Sequence, residues 1–432
     1  MQKQQIQKII NDLTKRQKEV LELFLSGKSD QNISQELCIE QVTVRKNIQN
    51  ICEAFGFTND FSDERHQKRK LLYKLIQENM PELINKPYIS SAPLEQANNF
   101  YLKRSSIETI CCRAITTPGC LLRIQAPLKM GKTSMVAQLL HSQDIQSYRT
   151  VFLKLRDVTL DNLESLDNFL RWLCTAITVE LLDEGYLDSV DQHWRKISAN
   201  PKLKCKTYFE KYLLFENTPL VLILDDLDRL FPHEQVAEEF LGMLRSRHED
   251  AKASKTWGLL RLVVTYAETY IQIDANRSPF NAGKEVRVSD LDAIQIEELA
   301  RLYNLSLSST QIAKLMQAIG GHPYLIQEAL IAIAQEEITH EEIISAVSNP
   351  VRIKAFNEYL RHHWNKLRNQ PELLKTLSKI VLSEEPVELC SEFDQDNLVK
   401  LNDLGLVNLS ASGVILRYEL YHNYFKSQLK GG

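Results

Sequence analysis

The sequence predicts a multidomain α/β chain, with an open parallel sheet in its middle and mainly helical segments on either side. Three observations predict it. Cys120 to Leu140 reads as a buried strand, a tight loop and a helix, and the loop closes in Gly131-Lys132-Thr133. Pro219 to Leu230 reads as a second buried strand, which delivers Asp225 and Asp226 at its carboxyl end. The stretch Leu13 to Phe55 carries apolar residues at helical rather than alternating spacing.

The bulk properties narrow the class. The chain has 432 residues, room for about three domains. Its net charge of −4 argues neither for nor against a nucleic-acid partner, because a small basic module would be diluted in that sum. The eight cysteines include no CxxC pair, which fits reduced thiols better than a disulfide or zinc framework. Adjacent Cys111 and Cys112 suit a helix face. The amino terminus lacks the apolar stretch of a signal peptide, and no run of apolar residues is long enough to span a bilayer. A cytoplasmic protein with no membrane partner is the expectation.

Residues 1–58 read as a helix-turn-helix module. Ile6 to Leu13 suits a lead-in helix. Thr14 is a helix cap with Gln17 as its reciprocal partner, and Leu13 staples the turn. Val20, Leu21, Phe24 and Leu25 give that helix its apolar face, and Gly27 ends it. Lys28 to Leu37 follows as a short second helix with Ile33 and Leu37 inward. Val42 to Phe55 is a third, with Val44, Ile48, Ile51 and Phe55 inward. The stretch Leu13 to Phe57, with LTKRQKEVL and ISQELCIEQVTVRKNIQNI, resembles the DNA-binding domain of LuxR-type regulators. That resemblance implies that the third helix enters the major groove, with Gln41, Thr43, Arg45, Lys46 and Gln49 facing duplex DNA. Arg45 and Lys46 suit phosphates or guanine edges, and Gln49 suits adenine. A helix-turn-helix reused to recruit a protein is the other reading.

Residues 59–95 read as a linker. It holds a basic helix, Arg65 to Asn79, followed by Pro81, Pro87 and Pro93, which mark a domain boundary. Residues 96–295 read as the α/β core. An amphipathic helix precedes the first strand, and resemblance to P-loop ATPases implies that Tyr101 to Arg104 would lie over a bound nucleotide base. Leu121 to Ile124 is that strand. Ala126, Pro127, Leu128, Lys129, Met130, Gly131, Lys132, Thr133 and Ser134 then form a phosphate-binding loop whose backbone N–H groups would cradle ATP or ADP. Ala126 stands where such loops usually carry glycine, which requires a negative φ there. Lys132 would reach the outer phosphates, and Thr133 would place its hydroxyl on Mg²⁺. Thr150 to Leu155 is the next strand, with Arg156 and Asp157 at its ligand-collecting end. Leu163 to Leu181 reads as a long helix. Asp225, expected on a strand adjacent to the loop strand, is the second candidate for holding Mg²⁺. Asp226 would orient the attacking water, and Asp228 and Arg229 would link the site to a neighbouring surface. Thr265 ends the strand Leu259 to Val264 as a sensor of the terminal phosphate. Glu285 to Val288 suits the last strand. Arg245, Arg247, Arg261 and Arg277 compete as an arginine finger.

Residues 296–350 read as a helical lid. Gly320 and Gly321 stop one helix and Pro323 starts the next. Residues 351–432 read as a winged helix: helices, then a hairpin around Ser410-Ala-Ser-Gly413, then a final helix from Tyr421. The motifs QAPLKMGKTSM, LVLILDDLDRLF, RLVVTYAE, SPFNAG and GGHPYLIQEAL together resemble AAA-like or STAND-type ATPases. They are similar in particular to the cyanobacterial vWA–MoxR-associated type with an amino-terminal helix-turn-helix. The resemblance implies a P-loop NTPase core with an α-helical lid and a carboxyl-terminal winged helix. It further implies that Pro323 lies against the adenine and that His422 senses the β-phosphate. It also implies a weak ATPase used as a homo-oligomeric switch, with a separate sensor or effector protein. A defence- or transposition-associated assembly ATPase is the alternative.

Overall fold

The computed structural model describes residues 3–25, 33–34, 36–37, 39–57, 72, 75–76, 80, 101–182, 187–214, 218–268, 278–334, 338–347, 353–383, 385–387, 394–410 and 413–430. Gly27, the start of the second short helix, the basic run Lys68 to Lys70, the three linker prolines and Arg277 lie outside these residues.

The amino-terminal module is all-α. Helices span Lys3–Asp12, Lys15–Leu25 and Gln41–Ala54, and Ile33 and Ser34 lie in a helical turn between the last two. The cap is reciprocal: Thr14 N–H donates to Gln17 Oε1 at 2.9 Å and Gln17 N–H to Thr14 Oγ1 at 3.3 Å. Val20, Leu21, Ile33, Val44, Ile48 and Ile51 form one core, which Leu72, Ile76 and Met80 join. These three residues, from the stretch after residue 58, therefore pack with the helix-turn-helix.

The central sheet has five parallel strands: β1 (Leu121–Gln125), β2 (Arg149–Lys154), β3 (Leu220–Asp225), β4 (Leu260–Tyr266) and β5 (Lys284–Arg287), in the order β2-β3-β4-β1-β5. β1, β3 and β4 are buried at every position, as a sheet covered on both faces requires. Alternation assigns the faces. Leu220, Leu222 and Leu224 point toward helices Leu166–Leu182 and Glu234–Asp250. Val221 and Ile223 join Leu122 and Ile124 against helices Ser105–Thr116 and Lys132–Leu140, where Cys111 is core.

Two expectations are corrected here. β3 is not adjacent to β1, because β4 lies between them; sequence order does not fix strand order in a parallel sheet. The long helix after β2 starts at Leu166, since Leu160–Leu163 tightens into a 3₁₀ turn.

Beyond β5, helices Ala293–Leu302, Ser309–Ile319, Pro323–Ala334 and His340–Ala346 form the lid, and three of them open with capping boxes. Helices Lys354–Arg368, Pro371–Leu382 and Gln395–Asp403 follow. Antiparallel β6 (Val407–Ser410) and β7 (Gly413–Leu416) come next, then helix Glu419–Lys430. This is a winged helix. Lid and winged helix share one apolar core, which runs from Ile296 and Leu330 through Phe356 to Leu401 and Phe425.

Candidate nucleotide site

The site forms where β1 runs into the helix Lys132–Leu140. Gly131 has φ +88°, and a Cβ there would have the wrong handedness but meet nothing within 4 Å, so the loop is open around it. Lys129 also adopts positive φ, whereas Ala126 does not, so the methyl in place of the usual glycine is tolerated. Lys132 is buried. Its Nζ donates to the carbonyl oxygens of Ala126 at 2.7 Å and Pro127 at 3.1 Å. Burial lowers its pKa, and Asp228, Asp226 and Asp225 oppose that shift in decreasing order.

Strand β3 brings Asp225 to the loop from two strands away. Thr133 Oγ1 donates to its Oδ2 at 2.8 Å and Thr265 Oγ1 to its Oδ1 at 2.5 Å. Thr265 Oγ1 also accepts Asp226 N–H at 3.2 Å. Thr133, Asp225, Thr265 and the Asp226 backbone thus form one hydrogen-bonded chain. Burial raises the Asp225 pKa, and the two threonine hydrogen bonds counter it. Asp226 sits in the left-handed region at φ +60° and its carboxylate pairs with Arg156 at 2.7 Å. Asp228, expected to link the site to a neighbouring surface, lies in the field of Lys132. Burial pushes its pKa up to about 6, and Lys132 is the largest opposing charge. The hydroxyl, the buried carboxylate and the lysine fit Mg²⁺ and a polyphosphate in both charge and donor type. Among the described residues, no three His, Cys, Asp or Glu side chains gather into an all-protein metal site.

The lid and winged helix close over the loop. Lys129 Nζ lies 3.5 Å from the centre of the Tyr324 ring. The Leu128 backbone approaches buried His322. Pro323, between His322 and Tyr324, therefore stands beside the loop. Gly405 packs on Pro127, where an added Cβ would lie 2.6 Å from Cγ. Arg104 donates to Met130 O at 3.4 Å and Ser289 O at 2.7 Å, so the stretch flagged as a base cover does reach the loop. Gln125 Nε2 donates to buried Asp403 at 2.7 Å, and Lys366 pairs with Glu268. Ser134 lies within the first turn of the loop helix. His422 lies one turn into the last helix, where its backbone N–H donates to Tyr418 O at 3.3 Å. Sequence reasoning missed Arg417, Asp290 and Asp403, which no local motif marks, and assigned no role to Tyr324 within GGHPYLIQEAL. A cavity of 370 Å³ lies elsewhere, lined by His193, Lys196, Glu210, Lys211 and Tyr212 on the insertion between β2 and β3. It holds none of the loop residues.

The arginine-finger candidates divide clearly. Arg245 pairs with Glu249, Arg247 covers the Trp257 ring and Arg261 bonds Gly258 O. Arg247 and Arg261 thus serve the amino-terminal edge of the sheet, opposite the loop. On the third helix of the amino-terminal module, Thr43, Arg45, Lys46 and Gln49 are exposed while Val44 and Ile48 are buried behind them. Gln41 is the first residue of that helix, and Gln49 Nε2 is engaged by Glu53 at 3.0 Å.

Comparison with known proteins agrees with this geometry. A family model described as an AAA-like domain matches residues 89–427. A second, described as bacterial regulatory proteins of the luxR family, matches residues 11–62. No curated protein matches the chain. Among solved structures, the chain is similar to the Walker-type ATPase paby2304 of Pyrococcus abyssi at 12% identity and TM-score 0.54, covering 76% of this chain and 96% of that one. A STAND protein with a tetratricopeptide repeat sensor, PH0952 of Pyrococcus horikoshii, aligns at 14% identity and TM-score 0.32, over 76% of this chain and 42% of that one. The Aeropyrum pernix ORC1 protein in complex with DNA aligns at 13% identity and TM-score 0.39, over 76% and 94%. With a phosphate loop, a five-stranded parallel sheet and the greater part of its length covered by one family model, the chain belongs to the AAA-like domain family, preceded by a LuxR-type helix-turn-helix.

Proposed function

We propose that this chain is an ATP-dependent signalling switch, in which nucleotide state is coupled to oligomerisation and to DNA binding. The observation that carries the reading is the chain Thr133–Asp225–Thr265 beside Lys132. Lys132 would bind and orient phosphate; Thr133 and Asp225 would hold Mg²⁺, which would supply charge neutralisation at the outer phosphates. Thr265 fixes Asp225 and the Asp226 backbone together. Asp226 then orients water, and Arg156 holds its carboxylate. On this reading a slow hydrolysis resets the switch. The closure of the lid and winged helix over the loop supports coupling, because anything that changes the loop must disturb Lys129–Tyr324, Pro127–Gly405 and Gln125–Asp403.

The DNA half of the reading rests on Thr43, Arg45, Lys46 and Gln49, exposed along one helix. We read the chain further as a cytoplasmic homo-oligomer of the vWA–MoxR-associated type that works with a separate sensor or effector protein. Among the described residues no helix is long and apolar enough to cross a membrane. One observation favours a second reading. Val42, on the same face, is 68% exposed, which suits a helix-turn-helix that recruits a protein in a defence or transposition assembly. Sizing the full chain with ADP, ATP and a non-hydrolysable analogue, with and without duplex DNA, tests both. Nucleotide-dependent assembly that retains DNA supports the switch. Assembly indifferent to DNA at low salt favours the adaptor, and no response to nucleotide rejects both.

A further inference from the structure

The insertion between β2 and β3 reverses the charge of the chain. From Gln192 to Leu214 it carries five lysines and one arginine against a single acid, Glu210, whereas the whole chain sums to −4. Helices Leu187–Lys196 and Pro201–Tyr208 pack together there. Asn200 opens the second, its side chain accepting Leu203 N–H at 3.0 Å. That helix ends irregularly. Leu214 N–H donates to Phe209 O at 2.8 Å, five residues back, which makes Phe209–Leu213 a π-helical turn. Leu213 O accepts Arg149 Nη2 at 2.8 Å, so the turn is fixed to the start of β2.

The 370 Å³ cavity lies against this turn, within the size range of small-molecule sites, roughly 300–1,000 Å³. Its wall is chemically one-sided. Lys196 and Lys211 stand at it as exposed cations. Glu210 is the one carboxylate of the wall among the described residues, and it is engaged: Oε1 accepts Trp257 Nε1–H at 2.7 Å and lies 3.9 Å from Lys206 Nζ. His193 is buried, and its Nε2 faces Lys204 O at 3.0 Å, so that nitrogen carries the proton. Burial lowers its pKa; the Lys204 carbonyl opposes this and Lys211 adds to it. The ring is therefore neutral, and Nδ1 is an acceptor with no partner among the described residues. The rings of His193 and Tyr212 meet edge to face at 5.8 Å, Tyr208 backs Tyr212 at 4.8 Å, and Ile197 adds an aliphatic side. Two cations beside a supported aromatic wall complement a flat molecule that carries an acid group.

We propose that this cavity is a binding site for a small aromatic acid, with its anionic oxygens on Lys196 and Lys211 and its ring against Tyr212. A carboxylate and a phosphate ester satisfy the same wall. The site shares no residue with the phosphate loop, so the inference goes beyond the nucleotide reading and does not depend on it.

The test is a ligand-observed NMR titration of the full chain with benzoate, phenyl phosphate, inorganic phosphate and benzylamine, with and without ADP and Mg²⁺. It is repeated on Lys196→Ala/Lys211→Ala, Tyr212→Leu and Lys132→Ala, with melting temperatures measured alongside. For ligands of this size the aromatic acids should bind with a Kd of about 1 mM or tighter. The double lysine variant removes only exposed side chains and should weaken them about tenfold or more, and Tyr212→Leu about fivefold. Benzoate tighter than phenyl phosphate marks a carboxylic acid as the natural ligand, and the reverse order marks a phosphate ester. No saturation by either acid below about 10 mM overturns the inference. So does benzylamine or inorganic phosphate binding as tightly as the aromatic acids, or full affinity in the folded double variant. Displacement by ADP, together with loss in Lys132→Ala, puts the acid at the phosphate loop and overturns it too. A chain that binds the acid but not ADP keeps this inference and removes the nucleotide reading.

Discussion

Thr265 does two things with one oxygen: it donates to Asp225 and accepts from the Asp226 backbone. Its loss should therefore act on two acids at once. Thr265→Val keeps the shape and removes both hydrogen bonds, leaving buried Asp225 with Thr133 alone on its oxygens. We expect Mg²⁺-dependent nucleotide affinity to fall about tenfold, read by titration with and without EDTA; unchanged affinity would dismiss Thr265 as an organiser of the site. Asp226 and Asp228 make a separable pair. Asp226→Asn leaves the backbone at φ +60° with a residue that tolerates it, and breaks the charge pair with Arg156. Phosphate release should drop by about 10²-fold with binding nearly intact. If Asp228→Asn, and not Asp226→Asn, gives that pattern, then the buried acid nearest Lys132 in charge is the one that works, and Asp226 serves only Arg156.

At the scale of elements, the interface between lid and winged helix carries two buried histidines. Burial pushes His322 and His363 down to about 3 from 6.5, with Arg417 and His363 lowering the first further and His362 and Lys366 the second. Tyr359 hydroxyl meets His322 Nε2 at 3.0 Å and Tyr421 hydroxyl at 3.0 Å, so this is the centre of the packed interface. The unfolded chain binds protons at these rings below 6.5 and the folded chain does not. Stability conferred by this interface is therefore complete above 6.5 and is lost as pH falls toward 3, at about 1.4 kcal/mol per pH unit for each ring. Urea unfolding between pH 4.5 and 7 should show that slope, and His363→Phe should flatten it; an unaltered slope would mean that the ring is not buried neutral. The same interface shows what was legible from the chain. The loop, the acidic strand end and the Thr14–Gln17 cap are local patterns, and each is where its spacing put it. Strand order is not local, so β4 between β1 and β3 could not be read. Nor could Gln125–Asp403 or Arg417–Asp290, whose partners lie 278 and 127 residues apart.

Across the whole molecule, the net charge of −4 limits what a single basic helix can hold. Arg45 and Lys46 offer local attraction to phosphate, but the rest of the chain does not add to it, so tight duplex binding calls for several copies of the module on one DNA. Nucleotide state sets the copy number in the switch reading, and this ties DNA affinity to Lys132. Lys132→Ala loses the charge that replaces solvent around phosphate and should abolish any difference in sedimentation between the ATP and ADP forms. DNA affinity should then be low and equal with either nucleotide. The double variant Arg45→Ala/Lys46→Ala should instead assemble normally with ATP yet bind duplex weakly, its salt slope shallower by about one per lost contact in each bound copy. The two variants thus fail at opposite ends of one pathway. Should the double variant retain full duplex affinity with an unchanged salt slope, the exposed face of the Gln41–Ala54 helix is not the DNA surface, and Val42 at its start becomes the centre of a protein contact instead.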